Sequence, residues 1–155
     1  MIPDSMLRAI ELSYENMRKG EGGPFGAVVV KNGKIIGEGW NRVTSSNDPT
    51  AHAEIVAIRA ACKELGDFSL AGCEIYTSCE PCPMCLSAIY WARIEKIYFG
   101  NTRKDAAQIN FDDDFLYSEI PKAIAERKIP MIACGREQAQ AVFQEWTTKL
   151  DKKPY

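Results

Sequence analysis

The chain has 155 residues and a mass of 17.3 kDa, which is the size of one domain with a single sizeable core. Hydrophobic residues make up 46% and charged residues 26% of the sequence, which argues against a disordered or fibrous chain. The net charge of -2 gives no general attraction for a polyanion, and the apolar runs are far shorter than the roughly 20 residues of a membrane span. We therefore expect one cytoplasmic domain over residues 1–155, with no membrane role and with nucleic-acid binding disfavoured.

In the first half of the chain, the pattern predicts a helix over residues 4–19, strands over 25–31 and 34–40, a loop over 41–50, and a helix that Gly66 ends. Apolar residues at helical spacing indicate the first helix, and Asn32-Gly33 is the preferred two-residue hairpin turn. Asp48 or Thr50 is expected to cap the second helix. One stripe on that helix is expected to be buried: Ile55, Ile58, Cys62 and Leu65.

In the second half, the pattern predicts strands over residues 73–77, 94–99 and 129–133, helices over 84–92 and 137–150, and mostly helical or irregular chain over 101–128. A hairpin followed by alternating helices and strands indicates a mixed sheet with helices packed on its faces. The fold class is therefore expected to be α/β. Three scattered cysteines are expected to be small buried hydrophobic residues: Cys62, Cys73 and Cys134.

The residues best suited to chemistry lie at the predicted starts of two helices. Cys82 and Cys85 are three residues apart and share a helix face, and His52 is the only histidine in the chain. Two thiolates and a neutral imidazole are good zinc ligands, and they leave a fourth position for a water whose pKa falls to about 7. The sequence therefore predicts one zinc ion held by His52, Cys82 and Cys85.

Glu54 follows His52 by two residues and is free to move protons instead of binding metal. General acid–base help of this kind contributes about 10²–10⁴-fold in rate, so Glu54 is the predicted catalytic residue. Other interpretations remain open at this point. Cys79 could complete a closed, structural Cys₃His site, Cys82 and Cys85 could form a redox pair, or His52 could be an ordinary surface histidine.

His52-Ala53-Glu54 followed by Pro81-Cys82-x-x-Cys85 is the known signature of zinc nucleobase deaminases. On this signature the chain resembles the cytidine deaminase-like superfamily from about residue 5 to residue 120, and within it the short bacterial guanine deaminases. The blocks that carry the resemblance are residues 22–27 (GGPFGA), 47–54 (NDPTAHAE), 77–85 (TSCEPCPMC), 90–93 (YWAR), 111–113 (FDD) and the terminal KKPY. The resemblance implies a three-layer α/β/α sandwich around a five-stranded mixed sheet, with zinc between two helix starts.

The resemblance also implies an activity and an assembly. Guanine is expected to be hydrolysed to xanthine and ammonia, with zinc-bound hydroxide attacking C2 of the purine. Glu54 is expected to shuttle the protons, because the amino group cannot leave as the strongly basic NH₂⁻. A homodimer is expected from the resemblance alone, with residues 137–155 forming a C-terminal helix and tail that cross to a partner subunit by domain swapping.

Four residues are candidates for contacts with the purine. Phe25 and Trp91 could stack on the base, although an aromatic beside a buried strand or helix often packs in the core. Asn41 could offer both a donor and an acceptor to a ring edge, or it could be a turn asparagine. The backbone N–H of Ala53, next to the ligand His52, is a plausible hydrogen-bond donor to the base.

The resemblance adds two further candidates. It places Asp113 near the purine, where its carboxylate would assist proton movement at the exocyclic amine, although residues 112–114 could be a solvated acidic turn. It also suggests that the tail with Tyr155 folds over a pocket, of its own or of a partner subunit, although chain ends are usually frayed.

Several rival activities use the same motifs. Adenosine deamination in transfer RNA would require phosphate contacts from Lys and Arg, and the densest basic cluster is only Lys149, Lys152 and Lys153. Guanosine or cytosine deamination, and side activity on aminotriazines or other amino-heterocycles, also remain open. A non-enzymatic zinc scaffold would instead hold its metal with four protein ligands.

Overall fold

The computed structural model describes residues 1–155, which form two compact units, Met1–Tyr117 and Ser118–Tyr155. The helices are α1 (Asp4–Arg18), α2 (Val43–Ser46), α3 (Ala53–Leu65), α4 (Pro83–Trp91), α5 (Arg103–Gln108), α6 (Asp113–Glu119) and α7 (Arg136–Thr148), with a 3₁₀ turn at Ile124–Glu126. The strands are β1 (Gly26–Lys31), β2 (Lys34–Trp40), β3 (Cys73–Cys79) and β4 (Lys96–Asn101). A membrane-crossing helix is absent, since every helix is too short or too polar to span a bilayer.

The four strands form one mixed sheet in the order β2-β1-β3-β4. β1 is antiparallel to both β2 and β3, while β3 and β4 are parallel. The β1–β2 hairpin turns at Asn32-Gly33, both with positive φ, as the predicted two-residue turn requires. Because β2, β3 and β4 run in the same direction, their carboxyl ends lie along one edge of the sheet, beside the start of β1.

The sheet has four strands, and the prediction of a fifth at residues 129–133 is wrong. This segment is irregular in the structure, and β4 remains an edge strand. A short apolar run does not by itself distinguish a strand from other buried chain. A strand also needs a neighbour for its backbone hydrogen bonds, and Pro130 has no N–H to donate to one.

Helices cover both faces of the sheet. On one face, Val28, Val30 and Tyr76 pack against Met6 and Leu12 of α1. The opposite face packs in a second cluster that includes Ala27, Val29, Ile75, Ala53, Ala57, Ala61 and Ile89. The chain therefore forms the predicted three-layer α/β/α arrangement, with α3 and α4 together on the second face.

Helix α3 lies directly on two glycines of β2. A Cβ atom on Gly39 would be 2.1 Å from the Ala53 carbonyl oxygen, and one on Gly37 would be 2.5 Å from the Ala57 carbonyl oxygen. The alanine face of α3 therefore takes the closest position to the sheet and is fully buried. The side chains predicted as the buried stripe are only partly buried: Ile55, Ile58, Cys62 and Leu65.

The start of α3 also differs from the prediction. Asp48 does not cap this helix but a turn, where it accepts hydrogen bonds from the backbone N–H and the hydroxyl of Thr50 at 2.8 and 2.7 Å. His52 is the N-cap residue. The predicted loop over residues 41–50 contains the short helix α2. Because of this turn, the helix starts later in the chain than predicted. The His52 side chain therefore lies at the N-terminal end of α3.

The unit Ser118–Tyr155 contains no buried residue. Its internal contacts include the hydrogen bond from the Lys128 backbone N–H to Glu119 at 2.8 Å. In α7, apolar residues recur at helical spacing on one face, and all of them are exposed: Ala139, Val142, Phe143 and Trp146. Cys134, expected to be buried, is exposed as well.

Candidate active site

The three predicted metal ligands meet at the carboxyl edge of the sheet. His52 is the N-cap of α3, Cys82 is the N-cap of α4, and Cys85 lies in the first turn of α4. The His52 Nδ1 atom is 3.6 Å from the Cys82 Sγ atom and 3.5 Å from the Cys85 Sγ atom. A tetrahedral ion with bonds of about 2.3 Å to sulfur and about 2.0 Å to nitrogen holds such atoms roughly 3.5 Å apart. The donor types and their spacing therefore fit zinc.

One of these three groups, Cys82, already carries the negative charge that suits a cation. Hydrogen bonds accepted from the Cys85 thiol and from the His52 imidazole lower the pKa of the Cys82 thiol to about 4, so Cys82 is a thiolate at neutral pH. Its hydrogen bond in turn raises the pKa of the His52 imidazole and of the Cys85 thiol. Both helix starts direct free backbone N–H groups and positive dipole ends toward this cluster, which stabilises negative charge on sulfur.

Cys79 is not part of the ligand group. Its thiol donates to the Thr102 carbonyl oxygen at 3.7 Å, and burial raises its pKa to about 12, so it stays neutral. The one group of side chains spaced like metal ligands is His52, Cys82 and Cys85. Three protein ligands leave a tetrahedral ion one position for water or substrate, as in catalytic zinc sites. The closed Cys₃His interpretation therefore has no support in the structure.

A cavity of about 270 Å³ adjoins the ligand group. This volume lies just below the roughly 300–1,000 Å³ of pockets for drug-sized ligands, so the cavity suits one compact heterocycle. Several predicted site residues line it together: Phe25, Asn41, His52, Glu54, Cys82 and Asp113. The arrangement can hold a planar base with one face of its ring system beside the metal ligands.

Three acidic residues line this cavity: Glu54, Glu80 and Asp113. Glu54 is buried in the first turn of α3, and burial raises the pKa of its carboxyl group to about 7. A carboxyl group with such a pKa can both take up and release protons near neutral pH, which is the requirement for a general acid–base catalyst. Asp113 is the first residue of α6 and is partly buried, and this burial raises its pKa above the ordinary value.

The orientation of the Asn41 amide is determined by the backbone around it. Its Oδ1 atom accepts hydrogen bonds from the N–H groups of Gly23 and Val43, both at 3.2 Å. Because both lone pairs of this oxygen are engaged, only the amide NH₂ group is left for a ligand. The expectation that Asn41 offers both a donor and an acceptor is therefore corrected to a donor alone.

The aromatic residues are divided between the cavity and the surface. The rings of Phe25 and Phe111 form an edge-to-face pair with centroids 4.8 Å apart, and both line the cavity. Sequence reasoning noted Phe111 only as part of a motif block and missed this role. Trp91 is 63% exposed at the end of α4 and does not line the cavity, so the structure does not bring Trp91 together with the other predicted site residues.

The remaining two candidates have different surroundings. Ala53 is fully buried and directly follows the ligand His52, so its backbone N–H belongs to the free donors at the start of α3. Tyr155 is an exposed residue at the end of the second compact unit.

Similar proteins identify the family. Residues 3–101 match the family model of the cytidine and deoxycytidylate deaminase zinc-binding region. A guanine deaminase from Bacillus subtilis is 53% identical over 148 residues, which cover 96% of this chain and 95% of that relative. An X-ray structure of guanine deaminase from Bacillus subtilis matches with a TM-score of 0.95 at 52% identity, covering 100% of this chain and 99% of that one.

Other relatives match a smaller part of the chain. A tRNA-specific adenosine deaminase from Aquifex aeolicus is 47% identical over 94 residues, which cover 61% of this chain and 60% of the relative. The metal ligands, the buried glutamate and the full-length similarity agree on one identification. This chain belongs to the family of the cytidine and deoxycytidylate deaminase zinc-binding region and is a zinc-dependent deaminase homologous to guanine deaminase.

Proposed function

We propose that this enzyme hydrolyses guanine to xanthine and ammonia. The observation that carries the proposal is that His52 and Cys82 of the predicted zinc-ligand group line one base-sized cavity together with the buried Glu54. The chain that builds this cavity is 53% identical, over 96% of its length, to a guanine deaminase. The tRNA-specific relatives match between 50% and 72% of the chain, and this protein has a net negative charge.

The metal and the residues around the cavity carry out different parts of the reaction. When bound, zinc supplies the Lewis acidity that lowers the pKa of water to about 7 and so makes a nucleophile available near neutral pH. Glu54 takes a proton from the attacking water and gives it to the ring nitrogen next to C2. Glu54 then delivers the second proton to the amino nitrogen, so that ammonia leaves and the water oxygen stays on C2 as the new carbonyl of xanthine.

The other cavity residues orient the base. The Asn41 NH₂ group is placed to donate to an acceptor on the purine, and the O6 and N7 atoms of guanine form such an acceptor edge. Phe25 and Phe111 supply an apolar wall for the ring system. The Ala53 N–H is a further donor, and Asp113 holds the exocyclic amine and assists its protonation.

A panel of free bases and nucleosides tests this proposal. Ammonia release is measured with guanine, guanosine, adenine, cytosine and an aminotriazine, and unmodified transfer RNA is examined for inosine. We expect guanine to give the highest kcat/KM. Faster turnover of any other compound in the panel, or inosine formation in transfer RNA with no turnover of guanine, would contradict the assignment.

We further propose that the enzyme is a homodimer in which residues 118–155 pack against a second copy. This unit buries none of its own residues, although α7 has an apolar face that includes Phe143 and Trp146. Burying apolar surface stabilises an assembly by about 25 cal/mol per Å². We propose that residues 118–155 cross over to the partner subunit in this dimer. Tyr155 then reaches the active site of the partner and covers the bound base as a lid.

Hybrid dimers distinguish a crossing tail from a tail that serves its own subunit. One subunit carries Glu54→Ala, and the other lacks Pro154 and Tyr155. With a crossing tail, the mixed dimer contains one site that has both an intact Glu54 and an intact tail, so mixing two nearly inactive proteins restores activity. No restored activity after refolding the mixture together would contradict the crossing.

The cysteines support a cytoplasmic location. All six are free thiols in the structure, which is typical of proteins in reducing compartments. We propose that the protein works in the cytoplasm, and immunoblotting of fractionated cells tests this. Recovery of the protein in a secreted or periplasmic fraction would contradict it.

A further inference from the structure

Helix α6 brings Asp113 to the cavity but is too short to determine its own position. It has seven residues, and none of them is buried. Helices shorter than about 12 residues are marginal in water without tertiary contacts. The location of the Asp113 carboxylate therefore depends on the contacts that join α6 to the rest of the chain.

Tyr117 makes the most direct of these contacts. It follows Asp113 by four residues, so both side chains lie on the same side of α6. The Tyr117 hydroxyl donates a hydrogen bond to the carbonyl oxygen of Pro81 at 2.7 Å. Pro81 is buried and directly precedes the metal ligand Cys82. This hydrogen bond joins the helix of Asp113 to the backbone beside the predicted metal centre.

Arg103 reinforces the same connection. Its guanidinium group lies 4.5 Å above the ring of Tyr117, and its Nε atom is 3.7 Å from the Oδ1 atom of Asp114. The backbone N–H of Arg103 donates to the Oε2 atom of Glu80 at 2.9 Å. Both connections from α6 therefore end on Glu80 and Pro81, the two residues before the ligand.

We propose that Tyr117 is a positioning residue that sets Asp113 against the metal centre and the exocyclic amine of the base. This inference rests on the proposed function, because Asp113 has a task only when a base occupies the cavity. Without the Tyr117 hydroxyl, the buried Pro81 carbonyl loses its donor, and α6 moves. A displacement of about 1 Å in a catalytic group can cost up to about 10²-fold in rate.

Tyr117→Phe tests the proposal because it removes only the hydroxyl. We expect kcat for guanine to fall about 10- to 100-fold, with little change in KM, in melting temperature or in zinc content by mass spectrometry. Tyr14→Phe is the matched control, since Tyr14 is an exposed tyrosine on α1 and should keep wild-type kinetics. An unchanged kcat, or a loss of zinc in Tyr117→Phe, would overturn the proposal.

A double-mutant cycle with Asp113→Asn separates positioning from a general structural effect. If Tyr117 acts through Asp113, the loss caused by Tyr117→Phe disappears in the Asp113→Asn background. Additive losses, or an Asp113→Asn variant as active as the wild type, would overturn the proposal. A wild-type protein that does not turn over guanine would instead contradict the proposed function, so the two failures are distinguishable.

Discussion

The two compact units of this chain differ in how much side-chain surface they bury. Every buried residue belongs to Met1–Tyr117, which also contains the sheet, the metal ligands and the cavity. No residue of Ser118–Tyr155 is fully buried, although α7 has an apolar face. Ordering a chain costs about 1–2 kcal/mol per residue, so only the first unit has the core to offset that cost. The difference assigns the chemistry to the first unit, and the exposed apolar face of α7 supports the proposal that the second unit serves assembly.

Glu54→Gln is expected to have the largest effect of the variants described here. It tests whether the first unit carries out the proton transfers. The amide cannot exchange protons, so kcat for guanine should fall by about 10²–10⁴-fold, while zinc content stays unchanged. Steady-state kinetics and mass spectrometry measure these quantities. Glu64→Gln, on the exposed side of the same helix, is the matched control. Wild-type turnover by Glu54→Gln would exclude the proton-transfer role.

Gly39→Ala tests whether the close contact between β2 and α3 holds the first unit together. Its Cβ would be 2.1 Å from the Ala53 oxygen and 2.4 Å from the Ala57 nitrogen, so α3 must shift. Overpacking of this kind costs about 1–3 kcal/mol, and the free energy of unfolding should fall by that amount in urea titrations. Lys34→Ala, at an exposed position of β2, should leave it unchanged. Equal stability of the two variants would contradict the contact.

Phe143→Asp tests the assembly role of the second unit. Burial of a Phe side chain contributes about 1.5–3 kcal/mol, so a charge on the apolar face of α7 should weaken the dimer measurably in light scattering at low protein concentration. The Gln144→Asp control carries the same charge on the opposite face of α7. A dimer as tight as that of the control would show that this face is not the interface.

The smallest predicted effect concerns the ion pair that joins α1 to β2. Arg8 donates to Glu38 from Nε at 2.8 Å and from a terminal nitrogen at 3.0 Å, and this hydrogen bonding lowers the pKa of Glu38. The pair therefore stabilises the fold above the unfolded-state pKa of about 4.3, and this stability is lost as the pH falls through the lower folded-state value.

Glu38→Gln should therefore lower the free energy of unfolding by at most about 1 kcal/mol at neutral pH, because both groups are about one-third exposed. The difference from the wild type should vanish in strongly acidic solution. Urea titrations across this pH range measure it, with Glu15→Gln on the exposed side of α1 as the control. A difference that persists in acid would mean that packing, not charge, explains the effect.

Local patterns were sufficient to predict most elements of the first unit. Asn32-Gly33 identified the hairpin because only certain residues tolerate two positive φ angles, and the spacing of Cys82 and Cys85 identified their shared helix face. The fifth strand at residues 129–133 was wrongly predicted, since pairing depends on a neighbour that a linear pattern does not contain.

Residues that meet only in the folded chain explain what was missed in the site. The Asn41 Oδ1 atom accepts a hydrogen bond from Gly23, which is 18 positions away in the sequence. Composition and spacing therefore could not show that only the Asn41 NH₂ group is available to a ligand. Phe111 lines the cavity because α5 and α6 return it to Phe25. Trp91 looked equally suitable in sequence, since an aromatic at a helix end has the same pattern whether it faces a cavity or the surface.

The contact between Gly22 and Asn41 has a consequence for protein engineering. A Cβ on residue 22 would lie 2.3 Å from the Asn41 carbonyl oxygen and 2.4 Å from Oδ1, so neither position can be varied alone without disturbing the other. A mutagenesis library aimed at new amino-heterocycles should keep this pair constant and diversify Val43, Thr44 and Pro49, whose side chains face the same cavity. Such a library would change the cavity wall near α2 in order to broaden the substrate range. The Asn41 end of the cavity, which provides hydrogen bonds, would stay as it is in this protein.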